Sequence, residues 1–363
     1  MTRSAAAWAF AVRWRWYFCV APAVTLLWML YLLSSSSQHS PRIVAQSQSH
    51  SLSDNANTTS SPSPPVFPGA GNSTLGFEAI LALSPFPSWR TTGLQAAAHL
   101  TGLDIQIPPQ PPINPELVDA FASLGPEDAR HPNHGSALAW VAHLDLIKYV
   151  VQSDFETALI VEDDVDWDIS IKEQMVGVAE AVRTLTKIKS TDKDVELAPY
   201  GRSWDVLWVG LCAETWDHDF ETVFIDDETV ISAEQYIGLG KAPMDRMPEG
   251  RRAVFYSGAP ICTFAYALTK AGARNVLLDV GAGKDEAFDI SLMNGCRERN
   301  LICISVLPEL FRHYIPSEKV GGSSLVNAKG DDSNTTIEEE MGHTENILES
   351  ARCHALWGKP CLS

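Results

Sequence analysis

Basic residues are scarce in this sequence. Of 363 residues only 27 are Lys or Arg, against 45 Asp or Glu, for a formal net charge of −18. A chain so acidic lacks the cationic footprint that grips nucleic-acid phosphates. Several chemical signatures are missing too. None of the 7 cysteines sits in a Cys-x-x-Cys pair, which argues against a zinc site built on thiolates. No GxGxxG follows the first expected strand, and GxxxxGK[ST], GxSxG and HExxH do not occur. The dinucleotide, P-loop, esterase and zinc-protease readings therefore lack their motifs. No fixed-period repeat is visible. Apolar material is not in short supply: hydrophobic residues make up 45% of the chain, enough to bury a core and rule out wholesale disorder.

Acid is absent from the first thirty residues, which carry Arg3, Arg13 and Arg15. The run from Trp16 to Leu33 is uncharged, and as a helix it would rise about 27 Å, close to the hydrocarbon thickness of a bilayer. Aromatic residues at both ends (Trp16, Tyr17, Trp28, Tyr31) suit the headgroup boundary. The reading is a signal-anchor over 16–33 behind a cytoplasmic 1–15, with the remainder across the membrane. A cleaved signal peptide is the alternative, although its apolar region would usually be shorter.

Residues 34–75 have almost nothing to bury. Ser, Pro, Gln and Asn dominate, as in an extended stem. Two glycosylation sequons fall here, at Asn57 and Asn72, and a third falls late, at Asn334. Beyond the anchor six cysteines remain, an even number that an oxidising compartment can pair in 15 ways with no basis for choosing among them.

From residue 76 the texture becomes globular. Short apolar runs at 77–83, 103–107, 157–161, 204–209, 253–256, 262–268 and 301–306 read as strands. Helical spacing covers 91–100, 135–151, 169–189, 269–279 and 286–298. That alternation predicts an α/β domain over 76–316 with a mostly parallel central sheet flanked by helices. Residues 317–363 read as a variable tail, with Cys353 and Cys361 as a candidate staple.

The chemistry is most legible at Glu162-Asp163-Asp164-Val165-Asp166-Trp167-Asp168, five carboxylates in seven residues directly after a buried strand. Ligands of open α/β sheets bind outside the carboxyl ends of the strands, where this cluster must lie. So many like charges repel one another unless a cation or water relieves them. Hard oxygen donors suit Mn²⁺ or Mg²⁺, which can bridge protein to a diphosphate. The structural alternative is an acidic turn in which Asp166 or Asp168 caps the helix from Ile169. A calcium loop counted from Asp164 fails, because position 6 is Ile169 rather than Gly and position 12 is Met175 rather than Glu.

The run from Gly135 to Asp168, a helix bearing Ala142-His143 and then ALIVEDDVDWD, resembles glycosyltransferase family 25, the lipopolysaccharide glycosyltransferase and collagen galactosyltransferase-like family. It is closest to the fungal-type branch. The blocks WDVLWVGLCAE (204–214), APICTFAYALTKAGARNVL (259–277), AFDISL (287–292) and PELFRHY (308–314) follow in the same order. The bacterial Cys-x-x-Ser-His pattern is not kept, Ser136, Ala139 and Trp140 standing in its place.

The resemblance implies a GT-A-like, nucleotide-diphospho-sugar transferase fold. It further implies that Asp164 ligates Mn²⁺ (or Mg²⁺), that Asp163 faces the nucleotide ribose or shares the metal, and that Asp166 contributes directly or through water. Glu162 orients the turn. Asp289 is the candidate base, with Asp285 and Glu286 as neighbours that can substitute. His313 is a candidate late contact to metal or diphosphate, and Arg90, just after the first strand, is placed to meet a nucleotide phosphate or base. The implied partners are a nucleotide-sugar donor (a UDP-hexose, galactose by family weight), a glycan or glycoprotein acceptor, and a Golgi or ER membrane. A membrane-tethered carbohydrate-binding module that has lost catalysis and a metal-dependent phosphohydrolase are the rival readings.

Overall fold

The computed structural model describes residues 69–124, 130–188, 191–317 and 338–362. All of these lie in the second of two compact units, Pro64–Ser363. The expected anchor, most of the stem, and sequons Asn57 and Asn334 fall outside the described residues. No helix among the described residues is long and apolar enough to cross a membrane.

The first half of the domain is β1 (Ala79–Leu83), α1 (Trp89–Thr101), β2 (Ile105–Gln106), α2 (Pro115–Ala122), α3 (His134–Gln152), β3 (Thr157–Glu162), β4 (Val165–Trp167) and α4 (Ile171–Leu185). It continues with α5 (Asp192–Leu197), β5 (Val206–Gly210), β6 (Thr222–Asp226), α6 (Lys241–Met244), β7 (Arg251–Tyr256) and β8 (Ala265–Thr269). The last elements are α7 (Lys270–Val280), α8 (Phe288–Arg297), β9 (Cys303–Leu307), β10 (Phe311–Ile315), β11 (His343–Thr344) and α9 (Ala351–Trp357).

Eight strands form one sheet in the order β2-β1-β3-β8-β5-β9-β7-β6, and β11-β10-β4 form a small second sheet. In the large sheet β7 and β8 run against the other strands, as their antiparallel pairings with β9, β6, β3 and β5 require. The sheet is therefore mixed, with six of its eight strands in one direction. The central strands β3, β5 and β8 are apolar without alternation because helices cover both faces. Leu81, Ile160, Trp208 and Leu268 pack on the face of α3, α7 and α8. Ile80, Leu159, Val161 and Val209 pack on the face of α1 and α4. Trp204 and Trp208 are core residues, as their place in an expected strand implied. Gly272, in the first turn of α7, lets that helix approach β5, since a Cβ there would stand 2.1 Å from the Asp205 carbonyl oxygen.

Two boundaries differ from the sequence reading. Ala70 and Leu75 are buried, so the folded domain begins inside the expected stem. More consequential is the C-terminus: residues 338–362 dock on the domain and do not trail from it as a tail. Ser350, Arg352 and Cys353 are fully buried, α9 packs on α1, and Cys353 is bonded to Cys361. The polar run GGSSLVNAKGDDSNTT masks this in the sequence, because the apolar and small residues that dock come only after it.

Candidate active site

The acidic run lies at the carboxyl end of β3, which closes on Glu162 and turns through Asp163-Asp164 into β4. Leu83 is paired with Glu162 in the parallel β1–β3 ladder. Ser84, one residue on, donates to Asp163 Oδ2 at 2.5 Å. The chain then enters α1, whose Ser88 accepts the Arg90 N–H in a capping box. Arg90, buried, donates from Nη1 to Asp164 Oδ2 and lies 3.5 Å from Asp163 Oδ1. Arg90 thus lies beside the acidic turn, where its immediate partners are two carboxylates. Burial, and next the charge of Asp164, push the Asp163 carboxyl up to about 6 despite Arg90.

Glu162 accepts a hydrogen bond from Thr263 Oγ1 at 2.9 Å, and His143 Nε2 lies 3.8 Å away. Burial, and after it the charge of Asp164, drive its carboxyl well above the usual range, and Asp163 and Asp289 add to the rise. Asp289, in the first turn of α8, therefore shares one electrostatic neighbourhood with the acidic run although 125 residues separate it from Asp164 in sequence. Its Oδ2 accepts the Cys262 N–H at 2.9 Å. His143 is packed in the core: it stacks on Phe288 at 4.5 Å, hydrogen-bonds Tyr266, and burial lowers it to about 3.

His313 reaches the same place from β10. That strand pairs with β4 so that His313 faces Val165, and the Tyr314 N–H donates to the Asp164 carbonyl at 2.7 Å. The ring leans on Phe264 at 5.1 Å. Burial lowers its pKa, favouring the neutral, ligating imidazole, while the charge of Asp164 opposes this. Two atoms stand out. Asp164 Oδ1 and His313 Nδ1 are both buried with no hydrogen-bond partner. A buried polar atom left unsatisfied costs about 1–3 kcal/mol, so one in the turn after β3 and another on the strand that pairs with β4 is an arrangement that a bound cation would relieve. A carboxylate oxygen and an imidazole nitrogen are donors that suit Mn²⁺, and Mg²⁺ less well because of the nitrogen.

Asp166 does something other than expected. It is fully buried, and four groups donate to it: the Trp167 and Arg352 N–H groups at 2.8 and 3.0 Å, Thr344 Oγ1 at 2.6 Å, and Ser350 Oγ. With both oxygens committed, it is neither metal ligand nor nucleotide contact but the anchor of the C-terminal segment. The Asp166 carboxylate lies within metal-chelating distance of Cys353 and Cys361, yet those sulfurs are bonded to each other and are not thiolates. Nor does Asp166 or Asp168 cap α4. Ser170 is the N-cap, and Asp168 accepts from Ser170 and from Glu349 at 2.9 and 3.0 Å.

Asp285 is held by Asn294 Nδ2 at 3.0 Å, and Glu286 pairs with Arg130 at the surface, so neither is drawn into the acidic group. Asn72, exposed, forms a turn in which its Oδ1 accepts from the N–H groups of Thr74 and Gly76. Three residues of the site escaped sequence reading. Ser84 looks like an ordinary turn residue, Thr263 falls inside an expected strand, and Arg352 lies in what resembled a tail. Arg352 donates to the carbonyls of Trp89 and Arg90 and sits 4.5 Å over the Tyr314 ring, bracing the helix start that carries Arg90.

No protein-family model matches the chain, and no curated protein matches it.

Proposed function

We propose that this chain is a divalent-metal-dependent glycosyltransferase that moves a hexose from a nucleoside-diphosphate sugar to a hydroxyl of a glycan or glycoprotein, as a type II membrane protein of the secretory pathway. The observation that carries the proposal is the pair of buried, unpartnered donor atoms, Asp164 Oδ1 and His313 Nδ1, at the carboxyl end of β3. The mixed sheet, with β8 reversed beside β3, supports a GT-A-like reading. The six cysteines beyond the expected anchor form three disulfides, which suits an oxidising lumen.

Asp164 and His313 would hold Mn²⁺, which supplies neutralisation of the charge developing on the departing diphosphate. Asp163, steadied by Ser84, presents a carboxylate to the donor beside them. Arg90 offers a guanidinium whose fork suits phosphate as well as carboxylate, so it can share its charge between Asp164 and the diphosphate. Asp289 is the base. Its Oδ2 is committed to the Cys262 N–H, which leaves Oδ1 to take the proton of the acceptor hydroxyl as the bond to the sugar carbon forms.

The test uses the full chain in detergent with a panel of nucleotide sugars, with and without Mn²⁺. Mn²⁺-dependent release of the nucleoside diphosphate that disappears in Asp164→Ala is expected. Metal-independent glycan binding unchanged by that substitution, or cleavage of simple phosphate esters without sugar transfer, would overturn the proposal.

A further inference from the structure

Two loops meet beside the acidic group, one following β5 (211–215) and one preceding β8 (257–263). They are bridged three times. Ala213 and Ile261 form an antiparallel backbone bridge, Cys212 is bonded to Cys262, and Glu214 Oε1 accepts the Ala259 N–H at 2.6 Å. At the centre of the second loop Cys262 has φ 66°, a left-handed conformation that costs a residue with a Cβ about 1–2 kcal/mol. Both backbone groups of Cys262 and the hydroxyl that follows them are engaged. The Cys262 N–H points to Asp289 Oδ2, its carbonyl accepts from Trp208 Nε1 at 2.8 Å, and the next hydroxyl, Thr263 Oγ1, points to Glu162.

One strained turn thus grips two acids that approach from different elements, β3 and α8. Left untethered, a non-glycine residue would relax toward negative φ, and the rotation would swing the N–H away from Asp289. We propose that the Cys212–Cys262 disulfide positions the acidic site by locking the Cys262 turn in the left-handed conformation that orients Asp289. In calling Asp289 the base the inference rests on the proposed glycosyl transfer; as a statement about the turn it does not.

Glycine separates tether from conformation, since it adopts positive φ without penalty. The double variant Cys212→Ala/Cys262→Ala is expected to lower kcat between roughly tenfold and a hundredfold with donor KM within about twofold, as a misplaced base would. Cys212→Ala/Cys262→Gly is expected to recover most of that loss. A disulfide that only adds stability predicts equal kcat for the two variants, and equality overturns the inference. Amide hydrogen exchange on the same proteins reads the geometry without any turnover: protection at the Cys262 N–H should fall in the Ala variant and return in the Gly variant. Asp289→Ala, with the disulfide intact, removes the acceptor and should unprotect the same amide. Unchanged protection in these variants overturns the inference even if the chain transfers sugar. Loss of protection in a chain that transfers none upholds the turn and refutes the activity.

Discussion

One backbone hydrogen bond sets Asp164 beside His313: the N–H of the next residue, Tyr314, donates to the Asp164 carbonyl at 2.7 Å, fixing β10 beside the acidic turn. Each of the two side chains then holds a buried polar atom with no partner. His313→Ala should therefore weaken Mn²⁺ binding by about tenfold or more, about 1.4 kcal/mol, in a calorimetric titration. The fold should stay intact, because the imidazole leans on Phe264 and anchors no other element.

Asp166→Asn makes the opposite pattern. The carboxylate serves four donors from β4 and the C-terminal segment, so an amide leaves Thr344 or Ser350 without an acceptor. Denaturant unfolding should show a loss of roughly 2–3 kcal/mol, while Mn²⁺ affinity of the folded protein stays within about twofold. A specific collapse of metal affinity at constant stability would restore Asp166 as a ligand.

Glu214 sets a pH dependence away from the metal site. It is buried, accepts from Thr215, Ala259 and Ser305, and burial pushes it up to about 7. A carboxyl that keeps its proton longer when folded stabilises the fold at low pH, and the contribution is lost as pH rises from about 4.5 to 7. Wild type should lose on the order of 2–3 kcal/mol across that window relative to Glu214→Gln. Gln suits the site, since Ser257 and Ser305, 2.7 Å apart, can reverse their donor order. Parallel stability curves for the two proteins would contradict this.

Gly93→Ala sets two effects against each other. In a helix interior the change gains about 1 kcal/mol of propensity. Here the new Cβ would stand 2.1 Å from Arg352 Cζ, displacing a fully buried guanidinium from the Trp89 and Arg90 carbonyls. The clash wins, and a net loss of about 2 kcal/mol or more is expected from thermal or denaturant unfolding.

What the sequence disclosed, and what it hid, follows from distance along the chain. The acidic turn was legible because a buried strand and its carboxylates are contiguous, and Arg90 follows β1 just as directly. Asp289 was legible only as an acid opening a helix, since its neighbour Cys262 lies 27 residues away across the sheet. Asp166 was misread because its partners Thr344, Ser350 and Arg352 lie 178 to 186 residues downstream. Spacing alone could not choose among the disulfide pairings, and the structure joins Cys212–Cys262, Cys296–Cys303 and Cys353–Cys361. The reversal of β7 and β8 was likewise invisible, because buried strands are equally apolar in either direction.

The most direct test is Mn²⁺ binding by the full chain, followed by electron paramagnetic resonance and calorimetry, in wild type, Asp164→Ala and Asp166→Asn. The account predicts one site in wild type and in Asp166→Asn, and none in Asp164→Ala. Undiminished binding in Asp164→Ala would contradict it.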